Sequence, residues 1–403
     1  MALTETPITQ RDAVLDRAKS ILPVLAAHAA DVDAENRFPL EAMRALRVSG
    51  LLGLVVPCAY GGLGASWETM AAVAQLFGGE CLSTALLWAM HCQQVALITD
   101  SGSASPDLRE DILARVASGD LLLASVTSEE KKGGHLLTAL APLIFDGDEM
   151  ILRRVAPSVS GGSEADGFLI TMRADEASPP TEVALVYADR SELDATVTSA
   201  WSAMGMRGTD TVGMTFDGRL TRDSIIAMSE GFRRLAVTTM IPVGHIAWSA
   251  CWLGAGTRAL REVVGLLRDP RERDGGKPQN DLVAWRLANI RLRIESVRAF
   301  LECFLRDYTA ARAECAPLDF YEAPSFNVQV NNLKLIASEQ LFRAVDDLVQ
   351  LAGLRFGYVR DARVALERRF RDLRSAALMY SNDRLYVANG KLTLVDPEFA
   401  PGS

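Results

Sequence analysis

The sequence predicts an α+β chain with an N-terminal helical domain, a central small β-barrel and a C-terminal four-helix bundle. Three observations predict it. Up to about residue 120 apolar residues recur every three or four positions, which is the period of an amphipathic helix. From 121 to about 230 the texture changes to short β-rich runs parted by turn residues. From 231 to 403 the helical period returns in segments long enough to build an up-and-down bundle.

Within the first zone "PLEAMRALRVSGLL" and "SWETMAAVAQLFGG" read as helices, the second entered at Ser66 and closed by Gly78-Gly79. "STALLWAMHCQQVALI" is apolar on every face and reads as a buried helix. In the middle zone "LLLASVTS", "GDEMILRRVAPSV", "DGFLITMRA", "TEVALVYA", "TVGMTFDGRL" and "DSIIAM" read as strands of a small barrel or sandwich. The bundle helices are expected over 234–267, 280–313, 326–354 and 364–389, with a loose tail from Pro397.

Composition narrows the function classes. Hydrophobic residues make up 49% and charged residues 23%, an ordinary globular balance. A net charge of -9 argues against a nucleic-acid partner, which needs a basic face. The six cysteines lack C-x-x-C spacing and sit mostly in apolar stretches, so buried reduced thiols are expected. No H-x-x-x-H or carboxylate cluster suggests a metal. Charged residues before the first apolar run, and Pro23 inside it, do not read as a secretory signal. The run "IPVGHIAWSACWLGAGT" is short of a membrane span. A cytoplasmic protein without a membrane partner is expected.

Five stretches, in order, resemble the acyl-CoA dehydrogenase superfamily: "GLLGLVVPCAYGGLGAS", "LASVTSEEKKGGH", "SVSGGSEADGFLI", "WSAMGMRGTDTVGMTFDG" and the pair "NNLKLIASEQLF" with "LERRFRDLRSAALMYSNDRL". The resemblance implies FAD, with FMN or a borrowed reduced flavin as variants, and a homodimer or homotetramer. It implies that Thr127 and Ser128 meet the flavin ring edge, that Ser160 makes a second-strand contact, and that Gly134 and Arg271 or Arg273 lie near phosphates. Departures stand beside these matches. Ser158 replaces the family's usual Trp, Gly134 and His135 replace Ser and Asp, and the Phe of the family's Arg-Phe-Gly segment is absent from "RDPRERDGGKPQNDL". The Gly61-Gly62-x-Gly64 turn reads as a tight reversal rather than a phosphate cradle.

The base is the open question. The resemblance implies a glutamate four residues after the glycine of a Gly-aromatic pair. From Gly357-Tyr358 that position is Asp361; counted back from Leu366-Glu367-Arg368 it is Arg363, and the alternative family site is Gly244. Asp361 is therefore the one carboxylate on offer, with a surface ion pair to Arg360 and Arg363 as the competing account. His245 falls where many members hold an Arg beside the catalytic pocket, and either a core residue or a proton carrier fits it; His91 is the weaker candidate. His28 reads as solvated.

Three functions follow. The first is α,β-dehydrogenation or oxidation of an acyl thioester, on coenzyme A or an acyl carrier protein, with Asp361 as base. The alternative is a monooxygenase using reduced flavin and oxygen, supplied by a flavin reductase, with His245 or His91 moving protons. A third is a binding or assembly subunit without redox chemistry, against which Thr127, Ser128 and Ser160 argue.

Overall fold

The computed structural model describes residues 6–131, 135–272 and 280–399. Five helices come first: α1 (Thr6–Glu35), α2 (Leu40–Val48), α3 (Trp67–Glu80), α4 (Leu82–Asp100) and α5 (Pro106–Ser118). Ser105 caps α5 by accepting from Leu108 N, Pro106 takes the first turn, and Gly119 ends the helix at φ 86°. Between α2 and α3 the chain reverses sharply: Gly64 N donates to Val56 O at 2.8 Å, and Gly61 sits at φ 84°. This is the tight reversal read from the glycines.

Among the described residues eight strands follow: β1 (Leu123–Val126), β2 (Ile144–Asp146), β3 (Glu149–Val159), β4 (Gly167–Arg173), β5 (Val183–Asp189), β6 (Leu193–Ser199), β7 (Val212–Thr221) and β8 (Ile225–Met228). They form two four-stranded sheets, ordered β1-β4-β5-β8 and β2-β3-β7-β6, with only β1 and β4 parallel. Both sheets contribute to one core, in which Phe168 meets Phe216 edge-to-face at 5.0 Å. The alternation of β3 turns Met150, Leu152, Arg154 and Ala156 inward, so its period places an arginine among apolar neighbours.

The remaining helices are α6 (Glu230–Leu235), α7 (Ile241–Arg268), α8 (Asp281–Ala313), α9 (Leu318–Glu322), α10 (Pro324–Gly353), α11 (Leu366–Arg374) and α12 (Asn382–Thr393). A π-turn, Ala236–Met240, joins α6 to α7, and a second, Leu354–Tyr358, ends α10. The helix expected over 364–389 is broken: α11 stops at Arg374 and α12 starts at Asn382. Tyr380 and Ser381 lie between them at φ 50° and 22°, a backbone that neither residue adopts without external support.

The chain divides into two compact units. One gathers residues up to Met70 with Leu87–Ser202 and Gly208–Gly244; the other gathers Ala71–Leu86, Ala203–Arg207 and everything from His245 onward. One helical stretch, Glu230–Arg268, is long and apolar enough to cross a membrane, but 89% of its most apolar window is buried, which marks a core helix. The expectation that the cysteines are buried holds for Cys81, Cys92 and Cys251 only. Cys58, Cys303 and Cys315 are exposed, on a turn or at the polar edge of a helix, and all six are free thiols.

Candidate active site

Two constellations carry the site residues, one in each unit. In the first unit the β1–β4 ladder ends at Val126 and Ile170, and Thr127 and Ser128 continue past it, half-buried. A clamp fixes this segment. Ser128 Oγ donates to Ser158 O at 2.8 Å, and Arg154 Nη2 donates to Ser128 O at 2.7 Å. Arg154 in turn pairs with Glu129, whose carboxylate also accepts from Leu140 N and Ala141 N at 3.0 Å each. Both side chains are buried, at 0% and 6% exposed, and burial draws the guanidinium down to about 10. The arginine forced inward by the strand period is thus the anchor of the segment.

Ser160 lies beside it. Its Oγ is 3.0 Å from Thr211 Oγ1, which is 2.9 Å from Thr209 Oγ1, so three hydroxyls run in a chain. Ser158 is exposed, and no large ring stands at its position. Hydroxyls and main chain along a rigid strand end fit the polar edge of a flavin, which needs donors and acceptors in fixed places. Gly134 and Arg273 lie outside the described residues.

His91 belongs to this unit and is spoken for. Its Nδ1 accepts from Leu123 N at 3.0 Å, so Nε2 carries the proton and donates to Leu52 O at 3.1 Å. With both nitrogens committed it has no free lone pair to move a proton, and that role falls away. Burial pulls its pKa down to about 4 from the ordinary 6.5. The folded state therefore binds this proton less readily than the unfolded chain. Its stability contribution is complete above about pH 6.5 and is lost as pH falls towards 4, by roughly 3 kcal/mol in all. Denaturant titrations at pH 7.5 and 4.5 should show this loss. His91→Gln, which keeps one donor and one acceptor, should reduce the pH dependence.

In the second unit His245 is buried on α7. Its Nδ1 lies 3.0 Å from Val330 O, so Nδ1 donates and Nε2 is left with a lone pair. Burial holds the ring neutral, with a pKa near 4. Trp248 packs at 5.6 Å from His245, and Tyr380 packs against both rings, 5.6 Å from Trp248 and 6.2 Å from His245. The Trp248 Nε1–H is buried without a hydrogen-bond partner, and burial lifts the Tyr380 phenol to about 12. Here sits an imidazole acceptor beside a neutral phenol and an unused indole donor. Such a set can accept and donate hydrogen bonds without carrying charge. No carboxylate is bonded or paired to any of the three among the described residues.

The other sequence candidates lie elsewhere in this unit. Asp361 is exposed in the turn after the second π-segment, and no ion pair reaches it among the described residues. Its flanking arginines bind other groups: Arg363 Nη1 donates to Asp269 Oδ2 at 2.8 Å, and Arg360 stands 4.0 Å from Glu367. Arg271 is exposed, and its main-chain N–H donates to Asp269 Oδ1 at 3.0 Å, so the residue lies on the turn that Arg363 also holds. Asp372 Oδ1 accepts from Met206 N at 2.6 Å, and Arg371 Nη1 donates to Met204 O at 2.9 Å, so both grip the 203–207 segment.

Sequence reasoning missed Trp248, Tyr380 and Lys334. Trp248 carried a signal, an aromatic three residues after His245 on one helix face. Tyr380 carried none, because its place depends on the break in a helix the periodicity runs straight through.

Comparison with known proteins bears on this geometry. Residues 11–120 match the acyl-CoA dehydrogenase N-terminal domain, and residues 230–380 match the acyl-CoA dehydrogenase C-terminal domain. An amino sugar nitrososynthase of Streptomyces peucetius is 26% identical over 93% of this chain and 90% of its own length. The short-chain-specific acyl-CoA dehydrogenase of Clostridium acetobutylicum is 22% identical over 90% of this chain and 92% of its own. KijD3, solved with FMN and dTDP-3-amino-2,3,6-trideoxy-4-keto-3-methyl-D-glucose, shares the fold with a TM-score of 0.85 at 23% identity, covering 97% of this chain and 95% of that one. Both end domains and the helix–strand–helix order agree with the resemblance read from the motifs: this chain is a member of the acyl-CoA dehydrogenase family of flavin-dependent enzymes.

Proposed function

We propose that this protein is a flavin-dependent monooxygenase that oxidises an amine-bearing small molecule, of which a nucleotide-linked amino sugar is the best-supported class. The observation that carries it is the neutral cluster of His245, Trp248 and Tyr380, which holds no carboxylate to abstract an α-proton. The nitrososynthase likeness and the amino sugar bound to KijD3 support the same direction. When bound, reduced flavin supplies the electrons that activate molecular oxygen. The roles of this chain's residues follow from their chemistry. In the first unit Thr127, Ser128 and Ser160 suit the polar ring edge; in the second, the exposed guanidinium of Arg271 suits a phosphate. The neutral His245 Nε2 accepts a hydrogen bond from the substrate and the Tyr380 phenol donates one, which orients the amine. A flavin reductase is the natural partner, and self-association as a homodimer or homotetramer accompanies the reading.

The test uses purified protein with a flavin reductase, NADH, oxygen and a dTDP-amino sugar. Oxygen-dependent formation of an N-oxidised product is expected, and Tyr380→Phe should lower kcat by roughly a hundredfold. The runner-up is acyl-thioester dehydrogenation with Asp361 as base, favoured by the Gly357-Tyr358-x-x-Asp361 spacing and the C. acetobutylicum likeness. Anaerobic bleaching of tightly held flavin by an acyl thioester, lost in Asp361→Asn, would replace the first reading with the second.

A further inference from the structure

Lys334 is the most deeply buried cation among the described residues of the second unit, at 0% exposed on α10, and no function described above uses it. Its Nζ donates to Asn382 Oδ1 at 2.5 Å. Asn382 opens α12 and is itself buried; its Nδ2 donates to Ser338 Oγ at 3.1 Å and to Glu339 Oε1 at 3.2 Å. Tyr386 OH adds a second hold on Glu339 Oε1 at 2.7 Å. The two residues just before Asn382 are Tyr380 and Ser381, both non-glycine and both at positive φ. Such a pair persists only where its surroundings over-determine it.

Helix α10 therefore grips both sides of the aromatic cluster. Four residues before Lys334, the carbonyl of Val330 accepts the hydrogen bond from His245 Nδ1–H. One helical turn later Lys334 pins the residue that follows the Tyr380–Ser381 turn. The geometry points to Lys334 as a positioning residue that, through Asn382, holds the strained turn so that the Tyr380 ring stays packed on Trp248 and His245. The inference rests on the reading of that cluster as the reactive site, yet its geometric part can be measured without any turnover.

A merely structural role and a positioning role predict different things. An ammonium held in the interior by a neutral amide, its burial only partly offset by the Glu339 carboxylate, is costly to bury, so replacing it by an isosteric apolar chain relieves that cost. Lys334→Met is therefore expected to melt no lower than the parent protein. In the same variant the Tyr380 resonance of [13C]tyrosine-labelled protein, assigned by its absence in Tyr380→Phe, should lose the ring-current shift imposed by Trp248. In the holoenzyme kcat should fall by roughly a hundredfold while KM stays as it was, the mark of a misplaced reacting group. Asn382→Ala reads the same contact from the other side if Lys334→Met does not fold. An unmoved Tyr380 resonance in either folded variant overturns the proposal. So does unfolding of both, which would make the contact a determinant of the fold. Absence of any flavin-dependent oxidation by the parent protein would fail the functional reading alone, since the Tyr380 resonance still reports the positioning.

Discussion

Replacing Gly254 by alanine is expected to destabilise the protein by about 3 kcal/mol or more, the upper end for inserting one methyl group into a packed interior. The site is a helix crossing with no room for a side chain. A Cβ on Gly254 of α7 would stand 2.0 Å from Gln75 O, and one on Gly78 of α3 would stand 2.1 Å from Cys251 O. In both cases the obstacle is a backbone carbonyl, which cannot rotate aside as a side chain can, so the helices must move apart. Gly265 on the same helix supplies the control. It is exposed with nothing within 4 Å of its Cβ position, so Gly265→Ala should gain about 0.5–1 kcal/mol from helix propensity. Urea denaturation of the two variants beside the parent protein checks the pair. Equal effects of either sign would show that the crossing is looser than described.

Glu129→Gln is the second large effect, expected at about 3–5 kcal/mol. It leaves the Arg154 guanidinium fully buried without its counter-ion, while the amide oxygen still serves Leu140 N and Ala141 N. The double variant Glu129→Gln/Arg154→Met removes the stranded charge and should recover at least half of the loss, a coupling that denaturant melts of all four proteins would measure. Additive single and double effects would mean that the two groups do not act as a pair. The double variant has a functional signature too. It frees the Ser128 carbonyl that Arg154 held at 2.7 Å, so flavin affinity should weaken even where stability returns.

How much of this was legible in the sequence varies with the distance over which each feature is determined. Period and turn chemistry are local, so the order of helices, strands and helices, and six of the strands, follow from short windows. Strand β2 escaped because it has only three residues. Strand β6 escaped because its burial pattern is exposed at nearly every position after Leu193, as an edge strand's is. Gly78 and Gly79 read as a helix end, yet α3 runs on to Glu80, because there the absence of a side chain serves packing rather than termination.

The candidate site was legible only in part. The strand residues Thr127, Ser128 and Ser160 came from motif likeness, and the structure places them just past the ends of β1 and β3, where Ser128 bonds the Ser158 carbonyl. His245 was visible as a histidine on an apolar helix. The weight placed on Asp361 came from counting between two anchors whose spacing disagreed, and the residue is exposed rather than packed against His245. Tyr380 was invisible for a physical reason. The stretch "SAALMYS" contains no glycine or proline, so nothing local ends the helix there; a lysine 46 residues earlier, at position 334, holds the residue that restarts it.

The burial of α7 has a consequence during synthesis. Between Ile241 and Thr257 the chain carries no Asp, Glu, Lys or Arg, and this run leaves the ribosome before the helices that cover it. His245 waits for Val330, and the face of Gly256 waits for Leu341. At ordinary elongation rates the missing residues up to the end of α10 take roughly 5–20 s to appear. For that interval a nascent chain presents an uncharged apolar helix with no gatekeeper residue to discourage sticking to its neighbours. The feature that buries His245 in the finished bundle is thus the one that leaves an uncharged apolar run uncovered while the chain is being made.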